Sequence, residues 1–330
     1  MHSRTNNSTP KIISPAQWPA WRKNVADAGG TVAVVTGSFA LLHPGNLAAI
    51  REAARQASHV YVIIHSDASH LDSATPNLAA RLEMAAHLRA VSMAATCSPG
   101  DAEAALARLR PFTLVDCLAQ KSPGIIAMVA RKLADHVVDL APVAGCFTAD
   151  IQKAIQDGRT PVSVPAAVMP PLPDRHDLDR FLNAGARGRP LVTVNGCFDV
   201  LHLGHARLLA QAGKLGARLL VLVNDDKSVR SYKGAARPIF PIRFRLQALN
   251  ALEAVTTAYP FSGDNPLPLL ATIQPDIHVK GGSFEEKRVR EERRLVESWG
   301  GRLESIPLLE GFSTTGVISR MAQKPTPGAE

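Results

Sequence analysis

Residues 31–46 read TVAVVTGSFALLHPGN, and residues 190–205 read PLVTVNGCFDVLHLGH. Laid together, they pair Gly37 with Gly196, Phe39 with Phe198, His43 with His202 and Gly45 with Gly204. The pairing continues where VYVIIHSD (60–67) falls on LLVLVNDD (219–226). After a short insertion in the second copy, Arg81-Leu82 falls on Arg245-Leu246, Ala90-Val91 on Ala254-Val255 and Pro111 on Pro275. Near the ends, GCFTADI (145–151) falls on GFSTTGV (311–317). So many matches in the same order mark a tandem duplication, which reduces the fold problem to that of one copy. The chain of 330 residues then holds two domains of ordinary size, expected at 14–160 and 176–322. Between them TPVSVPAAVMPPLPDRHD (160–177) is rich in proline and reads as a semi-rigid linker over 161–175.

Within the second copy, LVTV (191–194) and RLLVLV (218–223) are short β-branched and leucine-rich runs, predicted to be buried strands. HARLLAQAGKLG (205–216) has helical spacing and a glycine stop. Helices are predicted from about Ile242 to Val255 and near 266–273, followed by a strand at DIHVK (276–280). A charged helix EEKRVREERRLVESWG, a strand RLESIPL and a closing helix TGVISRMAQ complete the copy. Each copy also opens on a short helix, at SPAQWPAWRKNVADAG and HDLDRFLNAGARG. Strands alternating with helices predict an α/β fold, a parallel sheet with helices on both faces. Ligands of such sheets bind at the carboxyl ends of the strands.

Composition narrows the class. At 46% hydrophobic and 20% charged the chain can bury a core. The formal charge of +8 favours anionic partners, small phosphates as well as nucleic acid, and the excess is spread over both halves. KRVREERR (287–294) is interleaved with Glu285, Glu286, Glu291 and Glu292, and charge pairing on a solvated helix explains it, so no nucleic-acid partner is expected. Cys97, Cys117, Cys146 and Cys197 lack the spacing of a zinc site or a secreted disulfide framework. The N-terminus has no signal-like apolar run and no stretch spans a membrane, so the expected setting is cytoplasmic.

The chemistry concentrates in NGCFDVLHLGH (195–205), which runs from a strand through a loop into a helix start. His202 and His205, three apart, face the same way in a helical turn. Gly204 between them permits close approach of a ligand, and a helix N-terminus offers unpaired N–H groups to phosphate. Lys280-Gly281-Gly282 follows a strand end, where an ammonium can meet an anion. Lys233 and Arg237, in YKGAARP, are charges on a loop, either phosphate-binding or solvated. Asp225 and Asp226 end the second strand and either line an acceptor pocket or face water. Ser313, Thr314 and Thr315 open the last helix as a phosphate cradle or, for Ser313, as a plain N-cap. His59, His65, His70 and His278 have no ligand spacing and read as structural.

VNGCFDVLHLGH resembles the signature of the cytidylyltransferase-like nucleotidyltransferases, within the wider HxGH superfamily. VNDDKSVRSYKGAARPI, the ALNALEAV helix, PDIHVKGGS and GFSTTGVI keep the order of the branch that acts as heptose 1-phosphate adenylyltransferase in ADP-heptose synthesis. The resemblance is close over 190–320 and weak over 31–155. It implies two tandem Rossmann-like domains and transfer of AMP from ATP to a sugar phosphate, with release of pyrophosphate. It assigns His202, His205 and Lys280 to catalysis. Asn195, Gly196, Phe198, Asp199, Gly204, Gly281, Gly282, Ser313, Thr314 and Thr315 would bind the nucleotide, and Asp225, Asp226, Lys233, Arg237 and Arg245 are candidates for the acceptor. Mg²⁺ would be held mainly by the nucleotide phosphates, with no metal site on the protein itself. The alternative is a CTP-dependent enzyme acting on glycerol, polyol or ethanolamine phosphate, because the tandem layout is similar to that of ethanolamine-phosphate cytidylyltransferases. A non-catalytic nucleotide-binding protein is a further alternative. Where the heptose branch reads KGGD this chain has Ser283, a departure that bears on sugar, ribose or metal contact.

The first copy departs further. Ala40 stands for Asp199, Asn46 for His205, Asp116-Cys117-Leu118 for Lys280-Gly281-Gly282, and Ala149 for Thr315. An acidic Asp116 in place of the lysine would repel phosphate. The first copy is therefore expected to be a degenerate, non-catalytic domain, paired with the second as an intramolecular pseudo-dimer that can assemble further.

Overall fold

A computed structural model describes residues 11–66, 76–117, 124–143, 145–184, 190–263, 265–282, 286–307, 309 and 311–322. Ser283, Leu118 and His70 lie outside the described residues. In the first copy the elements run α1 (Trp18–Asp27), β1 (Val32–Gly37), α2 (Pro44–Gln56), β2 (His59–His65), α3 (Leu78–Ala86), β3 (Met93–Cys97), α4 (Ala102–Leu109), β4 (Thr113–Cys117), α5 (Ile125–Leu133), β5 (His136–Leu140) and α6 (Thr148–Gln156). In the second they run α7 (Arg175–Asn183), β6 (Leu191–Gly196), α8 (Leu203–Lys214), β7 (Arg218–Asn224), α9 (Asp226–Lys233), α10 (Ile242–Asn250), β8 (Thr257–Phe261), α11 (Leu267–Ile273), β9 (Ile277–Gly281), α12 (Glu286–Glu297), β10 (Arg302–Ile306) and α13 (Thr314–Ala322).

The two sheets share one topology. The first has the order β3-β2-β1-β4-β5 and the second β8-β7-β6-β9-β10, and every strand pair is parallel. The signature strand of each copy, β1 or β6, is central. The chain passes from it to one side of the sheet and returns on the other, so its carboxyl end opens at the topological switch point where such sheets bind ligands. Burial on both faces explains the uninterrupted apolar runs: Leu219 to Val223 are all inaccessible to solvent, as are Val32 to Val34.

Two elements of the second copy differ from expectation. Lys233 closes the helix α9 instead of lying on a loop. That helix buries only Ser228 and Val229, so it lacks an apolar stripe, and its sequence signal is the Asp225 cap that accepts from Ser228 N at 2.7 Å. β8 contains Pro260, which a central strand would not tolerate; it is the edge strand, paired with β7 alone.

Contacts divide the chain into two compact units, one holding the first sheet and the other holding the second sheet with Leu41–Pro44 and the chain from Val143 onward. In the latter unit α6 packs on α13, and Gln156 Nε2 donates to Met321 O at 3.1 Å. The proline-rich segment is pinned there as well. Thr160 Oγ1 donates to Ala236 O at 2.8 Å, Val162 N to Ile239 O at 2.8 Å, and Arg243 to the carbonyls of Met169 and Pro170 at 2.9 and 2.8 Å.

The duplication persists in a buried arginine. Arg245, 1% exposed, donates to the carbonyls of Cys197 (2.6 Å), Asn224 (2.8 Å) and Phe240 (3.1 Å), and to the Asp226 carboxylate (2.7 Å). Arg81, 3% exposed, donates to the matching carbonyls of Ser38 (2.7 Å), His65 (3.1 Å) and Pro76 (3.2 Å). A guanidinium satisfies several fixed carbonyls at once, which an ammonium cannot do in the same geometry. Arg245→Lys is expected to destabilise the full chain by roughly 3 kcal/mol or more in denaturant unfolding, because buried carbonyls lose their donors. An exposed control such as Arg293→Lys should stay within about 0.5 kcal/mol of the parent.

Candidate active site

The signature loop owes its shape to two residues. Phe198 is held at φ 46°, in the left-handed region that an aromatic residue rarely enters, and is 4% exposed. Its ring folds back over Gly196, where an added Cβ would meet Phe198 Cε2 at 3.0 Å. Phe39 repeats the strain in the first copy at φ 49°. This turn delivers His202 to the N-cap of α8, with His205 in the first helical turn.

The two imidazoles stack, with ring centroids 3.8 Å apart and planes 21° from parallel. Phe198 meets His205 edge-on at 5.3 Å, and Phe312 lies 6.4 Å from His202. Burial pushes the His202 pKa down to about 4. His205 is also lowered well below the ordinary range, by burial first and then by its neighbour His202. At neutral pH both rings are therefore uncharged in the free protein, and each Nδ1 is buried without a hydrogen-bond partner among the described residues. Orphaned polar atoms of this kind cost stability, and a ligand that accepts or donates there recovers it.

Lys280 stands at the end of β9, whose register with β6 sets Val279 beside Val194 and so brings Lys280 next to Asn195. Its Nζ donates to Asn195 Oδ1 at 2.8 Å and to Glu292 Oε1 at 2.7 Å. Glu292, placed by its sequence among solvated helix charges, is instead 3% exposed. Nor is His278 an isolated core histidine. It is inaccessible, with Nδ1 2.8 Å from Thr193 Oγ1 and Nε2 3.5 Å from Glu292 Oε2. Burial alone would raise the Glu292 carboxyl, yet His278 and the Lys280 charge hold it below the usual range.

Asp199, 2% exposed, accepts from Arg237 Nε at 2.6 Å and from the backbone N–H groups of Ile239 and Phe240 at 2.7 and 3.0 Å. Its carboxylate thus anchors the 237–240 segment to the signature loop, and Arg237 is engaged in the same pair. Asp225 caps α9 and accepts from Ser262 Oγ at 2.6 Å, while Asp226 holds Arg245. Ser313 caps α13, its hydroxyl accepting from Gly316 N at 3.0 Å, with Thr314 and Thr315 as the first helical residues. Phe312 brings this helix start up to His202.

The glycines have packing reasons of their own. A Cβ on Gly204 would meet His202 Nδ1 at 3.0 Å and Phe312 Cβ at 3.2 Å, and one on Gly281 would meet Leu208 Cδ2 at 2.2 Å. Gly282, at φ 106°, turns the chain after β9. In the first copy His43 is buried at the matching place, T-shaped on Phe147 at 5.7 Å, and Asp116 pairs with Arg131 of α5.

Residues 34–157 and 193–323 each match the model of the cytidylyltransferase-like family. These two segments make up most of the chain, which therefore belongs to that family of nucleotidyltransferases and carries its domain twice. Among curated proteins the chain is similar to the bifunctional protein HldE of Coxiella burnetii, 42% identical over 139 residues that cover 42% of this chain and 29% of that protein. It is also similar to the bifunctional protein HldE of Alkalilimnicola ehrlichii, 36% identical over 201 residues that cover 60% of this chain and 40% of the other. The chain thus spans less than half the length of these relatives. A solved lipopolysaccharide core biosynthesis protein from Thermoplasma volcanium aligns at 29% identity over 37% of this chain and 98% of its own, with a TM-score of 0.32.

The buried histidines predict a pH dependence. His202 and His43 are each lowered to about 4, whereas in the unfolded chain they titrate near the ordinary 6.5. Between those values the unfolded state binds more protons, so stability is full above about pH 6.5 and falls as the pH drops toward 4. The thermal midpoint should decrease across this window. His202→Gln should show a shallower decrease than the parent, and equal slopes would contradict the assignment.

Proposed function

We propose that the second copy transfers a nucleotidyl group, AMP from ATP in the first instance, to the phosphate of a phosphorylated sugar such as heptose 1-phosphate, with release of pyrophosphate. The observation that carries this reading is the stacked pair His202 and His205 at the start of α8, each Nδ1 buried without a hydrogen-bond partner among the described residues. The choice of ATP and heptose phosphate is supported by the resemblance of the PDIHVKGGS and GFSTTGVI segments and by the HldE relatives.

An oxygen of the acceptor phosphate attacks the α-phosphorus, and the bond from that phosphorus to the bridging oxygen of the β-phosphate breaks. The acceptor is already anionic, so no general base is needed, and the protein's task is alignment and charge stabilisation. The α8 N-terminus and the two imidazoles face the triphosphate. A polyanion beside them raises their low pKa values, so they take up protons as charge develops on the leaving pyrophosphate. Lys280 contributes a fixed positive charge from the adjacent strand, and the Ser313–Thr315 helix start a neutral cradle. Among the described residues no group of three or more His, Cys, Asp or Glu could hold a metal, and Asp199 is committed to Arg237. In this reading a divalent cation arrives on the nucleotide phosphates, and no step is assigned to a metal held by the protein.

The first copy is proposed to be non-catalytic, on the strength of Ala40, Asn46, Ala149 and the Asp116–Arg131 pair at the site where the second copy holds a lysine. The test is pyrophosphate release by the full chain with MgATP and MgCTP against heptose, glycerol and ethanolamine phosphates. Turnover should be highest with MgATP and a sugar phosphate, His205→Ala should lower kcat roughly a hundredfold or more, and Asn46→Ala should leave it unchanged. Preference for MgCTP with glycerol or ethanolamine phosphate would replace the substrate assignment. An unchanged rate in His205→Ala would overturn the site.

A further inference from the structure

We infer that Glu292 is a positioning residue for the phosphate-binding ammonium of Lys280, reaching from α12 to fix that charge at the carboxyl end of β9 beside Asn195. The inference rests on the nucleotidyl-transfer reading of this site.

The geometry is a continuous buried chain. Thr193 on β6 meets His278 on β9 at 2.8 Å, His278 approaches Glu292 on α12 at 3.5 Å, Glu292 holds Lys280 with its two oxygens 2.7 and 2.6 Å from Nζ, and Lys280 returns to Asn195 on β6 at 2.8 Å. Lys280 is 7% exposed, Glu292 3% and His278 and Thr193 0%. A lysine carries its charge on a flexible four-carbon stem. Gripping Nζ with a carboxylate and an amide oxygen leaves it one location, which is the preorganisation that charge stabilisation requires. A buried ion pair is seldom worth its desolvation for stability alone.

The first copy sharpens the point. At the corresponding strand end it places Asp116, and the following helix supplies Arg131 as the partner. The link from strand end to following helix is kept while its sign is reversed, and there it is less buried, with side chains 14% and 31% exposed. A cross-brace can therefore be built with either sign. Only the copy with the paired histidines puts the cation on the strand and the carboxylate behind it.

Among the described residues, Lys280 is faced by Glu292 from α12, His278 from its own strand and the polar Asn195 from β6, with Thr193 behind His278. Burial keeps His278 below its ordinary range. In Glu292→Gln the buried ammonium loses its counter-charge and gives up its proton at lower pH.

The test uses the full chain and four proteins: parent, Glu292→Gln, Lys280→Met and the double variant. Pyrophosphate release is measured from pH 6 to 10, with thermal unfolding recorded for each. Glu292→Gln should lower kcat/KM for the nucleotide roughly tenfold and move the alkaline limb of the rate to lower pH, and the double variant should be no slower than Lys280→Met. A folded Glu292→Gln protein with the parent's rate and pH profile would overturn the inference, as would losses that multiply in the double variant. If Glu292→Gln does not fold, the double variant, which buries no charge, is compared with Lys280→Met alone: equal rates support the inference and a further loss overturns it. If the parent releases no pyrophosphate with any pair, the proposed reaction fails, and calorimetric binding of MgATP and MgCTP decides this point separately. Weakening of about tenfold in Glu292→Gln then supports the positioning role. Unchanged affinity, or no binding by the parent, overturns it.

Discussion

One buried guanidinium ties the second copy together. Arg245 draws the carbonyls of the signature loop, the end of β7 and the segment before α10 to a single point, and takes Asp226 as its counter-charge. Each of these backbone groups ends an element at the ligand-binding edge of the sheet, where a loop leaves carbonyls that the sheet cannot satisfy. Without the arginine the loops have no common anchor. Asp199 extends the same logic, binding Arg237 and two backbone N–H groups so that the 237–240 segment closes on the signature loop. The first copy keeps its arginine, Arg81, on the same three carbonyl positions. What the duplication preserved is the scaffold of the site, whatever became of its chemistry.

The scaffold was legible in the sequence because it is written in periodicity and repetition. β6, β7 and β9 are apolar runs with turn residues at their ends, and the pairing of Gly37 with Gly196 and Arg81 with Arg245 carried the topology from one copy to the other. α9 and β8 were not legible, since a helix that buries only Ser228 and Val229 has no stripe and a strand containing Pro260 violates the usual composition. The site divides in the same way. His202 and His205 follow from the spacing of HLGH, and their meeting is local. Glu292 is a partner across elements. In sequence it sits in KRVREERR, where alternating charge reads as a wet surface, and only the packing of α12 on β9 shows that one of those carboxylates turns inward. Arg245, an acceptor candidate by resemblance, spends its donors on three backbone carbonyls and the Asp226 carboxylate, which no sequence pattern spells out.

The electrostatic character of the site follows from these pairings. Asp199 is balanced by Arg237, Asp226 by Arg245 and Glu292 by Lys280, while the two histidines are neutral. Among the described residues these ion pairs compensate one another, and under the proposed reaction a triphosphate with its cation would meet oriented donors instead of a bare positive patch. In the proposed reaction charge moves from the α-phosphate to departing pyrophosphate, and the histidines would gain protons as the polyanion binds.

The two copies of one fold are proposed to divide unequally, with nucleotide chemistry on the second alone. Calorimetric titration of the full chain with a non-hydrolysable MgATP analogue tests this most directly. One nucleotide should bind per chain, with binding abolished by His202→Ala and unaffected by Asn46→Ala. Two equivalents per chain, or a single site that survives His202→Ala, would contradict it.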